Sequence, residues 1–131
     1  MKIEMIKNFL IISCIGKDDK LGLRINKDFF IHNIGKQKNY YGILVSEIMN
    51  FLNSHGVKLD ENFSVIVNQG PGSFSGVRVS LAVAKGLEIS KNVRLFGFKN
   101  TDLVKFNQDN IEKLLITNLI EKKLIKAIYL S

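Results

Sequence analysis

Ser64-Val65-Ile66-Val67-Asn68-Gln69-Gly70-Pro71-Gly72-Ser73-Phe74-Ser75-Gly76-Val77-Arg78 is the stretch on which the fold turns. Ser64 to Val67 is a short, largely apolar run of strand length, the mark of a strand covered on both faces. Gly70 and Gly72 permit backbone conformations closed to other residues, and Pro71 fixes one dihedral between them. Ser73 or Ser75 can cap a helix that starts at Phe74. The free N–H groups of that helix end would favour an anion. Two readings follow, a phosphate cradle or a tight strand-to-helix connection. No Gly-Lys-Ser/Thr follows to make a Walker A loop, and the glycines do not fit G-x-G-x-x-G. The residues by themselves favour the tight connection.

Downstream, the spacing predicts a helix from about Phe74 to Ser90 with an unusual surface. Arg78, Lys85 and Glu88 make one narrow polar stripe. Val77, Val79, Ser80, Leu81, Ala82, Val83, Ala84, Gly86 and Leu87 fill the rest. Ser80 and Ala84 are four apart, as are Ala82 and Gly86, so a neighbouring backbone could approach closely. A helix apolar over most of its circumference must be covered on more than its sheet side. A first helix, from Tyr40 to Asn53, carries Tyr41, Leu44, Val45, Ile48, Phe51 and Leu52 over a similarly wide arc, with Gly56 just past its end. Two such helices in a short chain point to a partner surface.

Upstream, Asn8 to Ile15, Leu21 to Ile25 and Phe29 to Ile34 read as three strands joined by tight turns. Val93 to Phe98 is a further strand, and Thr101 to Phe106 a short helical piece capped by Thr101 or Asn100. Ile111 to Leu130 stays open between a helix and two strands. The order β-β-β-α-β-α-β predicts an α/β fold with a mixed five-stranded sheet whose central strands are parallel.

The chain has 131 residues, 46% hydrophobic and 24% charged, enough for one domain with a real core. No run of about 18 apolar residues exists, so no membrane span is expected. Glu4 and Lys7 interrupt any signal-peptide core, so a cytoplasmic protein is expected. A single cysteine, Cys14, excludes an internal disulfide and a multi-cysteine metal site. His32 and His55 form no metal-binding spacing, and no base accompanies Ser73 or Ser75. No catalytic residue, metal or cofactor is therefore assigned. The net charge of +7 raises a direct tRNA-binding reading. Against it, only Arg24, Arg78 and Arg94 are arginines and the lysines are scattered, so a solvated surface is the better account.

Gly70-Pro-Gly-Ser-Phe-Ser-Gly-Val-Arg78, continued by Ala84-Lys-Gly-Leu87, resembles the signature of the TsaB (YeaZ, Gcp-like) family, a G-P-G-S-F-T-G-x-R stretch before a helix ending in A-K/Q-G-L. The resemblance covers about residues 8 to 106. It implies one lobe of an actin-like (ASKHA, RNase H-like) fold at 1–106, with 107–131 as a short tail in place of a second lobe, hence a shortened form. It also implies a non-catalytic partner of TsaD in making threonylcarbamoyladenosine (t6A) beside the tRNA anticodon. TsaE belongs to the larger complex, and tRNA is met indirectly. Pairing through the two helices would use Tyr41, Leu44, Ile48, Phe51, Val79, Ser80, Val83, Ala84 and Leu87, and a homodimer through the same helices stays open. Ser13 and Cys14 stand where actin-like proteins usually carry an Asp, and Asn39 where the family often has His. The alternative is a small nucleotide-binding, ATPase-like enzyme using the Gly70–Gly76 loop.

Overall fold

The computed structural model describes residues 7–16, 18–34, 41–117, 120, 121 and 128, without the side chains of Tyr41, Phe74 and Glu121. Phe9–Ser13 (β1), Lys20–Ile25 (β2) and Asp28–Asn33 (β3) form an antiparallel meander. Asn26 and Lys27, with φ of 51° and 74°, join Ile25 to its partner Asp28. A two-residue turn with both residues at positive φ matches the twist of its strands. Tyr41–Ser54 (α1) then leads to Ser64–Asn68 (β4), which lies parallel to β1. Phe74–Lys91 (α2) crosses to Arg94–Phe98 (β5), parallel to β4. Gln108–Ile116 is α3, and Ile120–Glu121 (β6) runs antiparallel to β5. The sheet order is β3-β2-β1-β4-β5-β6.

This is the expected mixed sheet with parallel central strands, and β6 adds a sixth, two-residue strand at one edge. Successive residues of a strand point to opposite faces. Leu10, Ile12, Val65, Val67 and Leu95 pack with Leu44, Ile48, Val77, Leu81 and Val83 of α1 and α2. Phe9, Ile11, Ile66, Phe96 and Phe98 form a second core with Ile111, Leu114 and Leu115 of α3. The central strands are apolar throughout because each has a core on either side. Gly56 sits just past α1, where its N–H donates to the Asn53 carbonyl and that of Val57 to the Leu52 carbonyl. That pair of bonds closes the helix end.

One local expectation is corrected and one open segment is decided in part. The short helical piece at Thr101 to Phe106 is only a 3-10 turn at Asn100–Asp102, preceded by Lys99 without a side-chain cap, and it does not continue to Phe106. The helix begins later because Asn107 supplies the cap, accepting from the Asn110 N–H at 2.9 Å. The open segment after Ile111 contains α3 and, among the described residues, β6. Residues 122–127 and 129–131, like Asn39 and Tyr40, lie outside the described residues. An Arg24 Nη1–Glu112 Oε1 pair at 3.1 Å joins β2 to α3.

Leu114→Ala should cost about 2–5 kcal/mol, the range for emptying a packed aliphatic site. It should appear as a lower urea midpoint at unchanged slope. Val104→Ala, at a residue 92% exposed, should change stability by no more than about 0.5 kcal/mol.

Candidate functional site

β4 ends on Asn68, a fully buried amide. Its Nδ2 donates to Ser13 Oγ at 3.1 Å and to Asn100 Oδ1 at 3.0 Å, and its Oδ1 accepts the Gly70 N–H at 2.9 Å. One side chain thus ties the ends of β1 and β5 to the start of the loop. The loop backbone is held as closely. Gln69 N–H donates to the Phe98 carbonyl at 2.9 Å, Asn100 N–H to Gly70 at 2.8 Å, Ile128 N–H to Gln69 at 2.7 Å and Ser73 N–H to Ile15 at 2.6 Å.

Gly70 has φ +93°, and a Cβ there would lie 2.7 Å from the Ile128 carbonyl oxygen. At Gly72 a Cβ would lie 2.5 Å from that of Ile15. Glycine is required at both because another segment occupies the space a side chain needs. The peptide between Gly70 and Pro71 is cis.

Ser73 is the cap of α2: its hydroxyl accepts the Gly76 N–H at 3.2 Å and its carbonyl the Val77 N–H at 2.9 Å. Ser75 instead places its hydroxyl 3.3 Å from that of Ser73. Arg78 is exposed on the next turn. The donors of Gly70, Ser73, Gly76 and Val77 are used inside the chain, which favours the tight connection over a phosphate cradle. Sequence reading missed Asn68, although a polar residue closing a buried strand was the available signal. Its partners Ser13 and Asn100 lie 55 and 32 residues away, so only the folded sheet reveals the network.

Cys14 is buried, and burial, then the nearby Asp19 charge, push its thiol up from 9.0 to about 12, a hydrogen bond with Ser80 opposing them. The Asp19 carboxylate accepts the Gly16 N–H at 2.9 Å. His32 Nε2 meets Glu47 Oε2 at 2.6 Å, and its ring stacks on Phe51. His55 packs edge-on against Phe51 and over Phe30. These histidines join β3 to α1. Among the described residues no three His, Cys, Asp or Glu gather as a metal site would require.

The expected interface residues take a different place from the one the helical arcs suggested. Leu44, Ile48, Phe51, Ser80, Val83 and Ala84 are buried within the chain. Val79 and Leu87 are half-buried against the same core, and the Tyr41 side chain lies outside the described residues. α1 and α2 bury these positions against the sheet and against each other, which explains the width of their apolar arcs. The outward residues include Gly42, Ser46 and Asn50 on α1, and Arg78, Ala82, Glu88 and Ile89 on α2, with Val45, Met49 and Lys85 half-exposed.

Residues 36–115 match the family model described as TsaD, tRNA N6-adenosine threonylcarbamoyltransferase. A tRNA threonylcarbamoyladenosine biosynthesis protein TsaB from Buchnera aphidicola (subspecies Baizongia pistaciae) is 33% identical over 97 residues, 70% of this chain. The chain belongs to the TsaB family. It spans 44% of that relative's length. YeaZ from Pseudomonas aeruginosa superposes with a TM-score of 0.67 at 18% identity, covering 76% of this chain and 46% of that one. A second Pseudomonas aeruginosa structure, of an uncharacterized protein with similarity to peptidase YEAZ, gives 0.66 with the same coverage. This TsaB-family chain therefore shares the YeaZ fold over the part that superposes.

Asn68→Ala should cost about 1–3 kcal/mol, because the Gly70 N–H loses its buried acceptor; chemical denaturation measures it. Cys14 should resist a disulfide reagent at about pH 8 until the chain unfolds, since the thiolate is the reactive form. The raised value also fixes the sign of the pH dependence. Stability from the neutral thiol is complete below 9.0 and is lost as pH rises towards about 12.

Proposed function

We propose that this chain is a non-catalytic partner of a TsaD-type subunit in making t6A on tRNA. The relative carrying the TsaB name, 33% identical over 70% of the chain, supports this reading most directly. The signature loop supports it as well, because the N–H groups of Gly70, Ser73, Gly76 and Val77 serve the fold and an anion would have to displace them. Cys14 is buried, and His32 and His55 are packed on Phe51 and Phe30 with His32 on Glu47, which supports a structural part for these residues. The ATPase-like alternative gains no observation in its favour.

The docking surface is the outer side of α1 and α2. Ser46, Asn50 and Met49 form its α1 half, and Arg78, Ala82, Lys85 and Ile89 its α2 half. Small side chains at Gly42, Ser46 and Ala82 let a partner helix come close, and Ile89, 81% exposed, offers an apolar anchor. The same surface would serve a homodimer when TsaD is absent. TsaE joins the larger assembly, and tRNA is met through TsaD. The lobe at 1–106 carries the docking surface, and α3 of the tail at 107–131 covers the opposite face of the sheet. No helix among the described residues is long and apolar enough to cross a membrane, and the work of the complex belongs in the cytoplasm.

Ala82→Arg tests this reading because it places a long cation on an exposed position. Capture of the host TsaD on an affinity resin should fall at least about tenfold, the effect of a charge set against an interface. Thermal unfolding of the free chain should stay within about 0.5 kcal/mol of wild type. Undiminished capture would overturn the docking surface. Failure to stimulate t6A formation by TsaD would overturn the role.

A further inference from the structure

The last described residue, Ile128, meets the signature loop by its backbone. Its N–H donates to the Gln69 carbonyl at 2.7 Å. Its carbonyl oxygen fills the space beside Gly70, 2.7 Å from where a Cβ would stand. Gln69 and Gly70 are also bonded to Phe98 and Asn100, and Ser73 to Ile15. Three distant parts of the chain therefore converge on five residues, and Ser73, the last of them, is the cap of α2.

We propose that the backbone of Ile128 is the positioning element that locks the signature loop and, through Ser73, the first turn of α2. The glycine at 70 serves this contact, since any side chain would displace the Ile128 carbonyl. Gly70, Pro71 and Gly72 leave few residues between the contact and the cap, so a shift at Gln69 must move Ser73 or break its bond to Ile15. The segment after α3 thereby governs the angle at which α2 presents Arg78 and Ala82. That consequence rests on the docking reading, whereas the lock itself does not.

Hydrogen exchange on the free full-length chain tests the lock. Ile128→Pro removes the donated N–H, whereas Ile128→Ala keeps it. The proline variant should exchange the Gly70 and Ser73 amides about fivefold faster, the factor one net hydrogen bond supplies. The alanine variant should match wild type, and the Ile66 amide on β4 should stay protected in both. Wild-type rates at Gly70 and Ser73 in the proline variant, or equal acceleration by alanine, would overturn the lock. If the proline variant loses protection at Ile66 too, the wild-type chain decides. Ile128, Gly70 and Ser73 must then open together, within about twofold in rate as one cooperative unit, and independent opening overturns the lock. Capture of TsaD by the same variants reads the consequence separately. If Ala82→Arg leaves capture intact, the docking surface falls and the exchange result still judges the lock.

Discussion

Strands β1, β4 and β5 are apolar on both faces, and the fold follows from the need to cover them twice. Phe9 through Ile12 and Val65 through Val67 are completely buried. Each side chain of this size removed from water contributes about 1.5–3 kcal/mol. A single layer of helices would leave half of that gain unrealised. α1 and α2 cover one face and α3 covers the other, so the helix of the tail completes a core begun by the first strand. The parallel order of the three strands requires crossover connections, which α1 and α2 also supply.

A sheet packed on both sides leaves its chemistry to the strand ends. At the carboxyl ends of β1, β4 and β5 the chain places Ser13, Asn68 and Asn100, and joins them by hydrogen bonds among themselves. Open α/β sheets commonly bind ligands at this edge. Here the edge is filled by the protein's own amides and by the backbone of Ile128. The same atoms that make the loop a poor anion cradle make it a rigid start for α2. Glycines 70 and 72 belong to that packing, and they explain a glycine-rich loop without a phosphate.

The two helices show how a wide apolar arc can mislead. A residue on α2 can face the sheet, α1 or solvent, and the first two directions consume Val77, Ser80, Leu81, Val83 and Ala84. Ser80 illustrates the point, since its hydroxyl lies within hydrogen-bonding reach of the carbonyls of Cys14 and Gly76 in the interior. What remains outside is narrower and more polar, and a partner would meet small residues beside Arg78 and Lys85.

Much of this was written in local sequence. Apolar runs of strand length, one period-two alternation and helical spacing placed five strands and the two long helices, and the Gly-Pro-Gly-Ser string identified the loop and the family and narrowed its cap to Ser73 or Ser75. Such features depend on residues close in the chain, whose propensities act whatever the rest of the fold does. The short helix at Thr101–Phe106 failed because Asn107, with its side chain on the Asn110 N–H, is the stronger cap. Which residues of α1 and α2 stay exposed, the Asn68 network and the seat of Ile128 on Gly70 depended on contacts between distant segments. Burial and hydrogen bonding across the sheet decide these, and neither is a property of any one stretch of sequence.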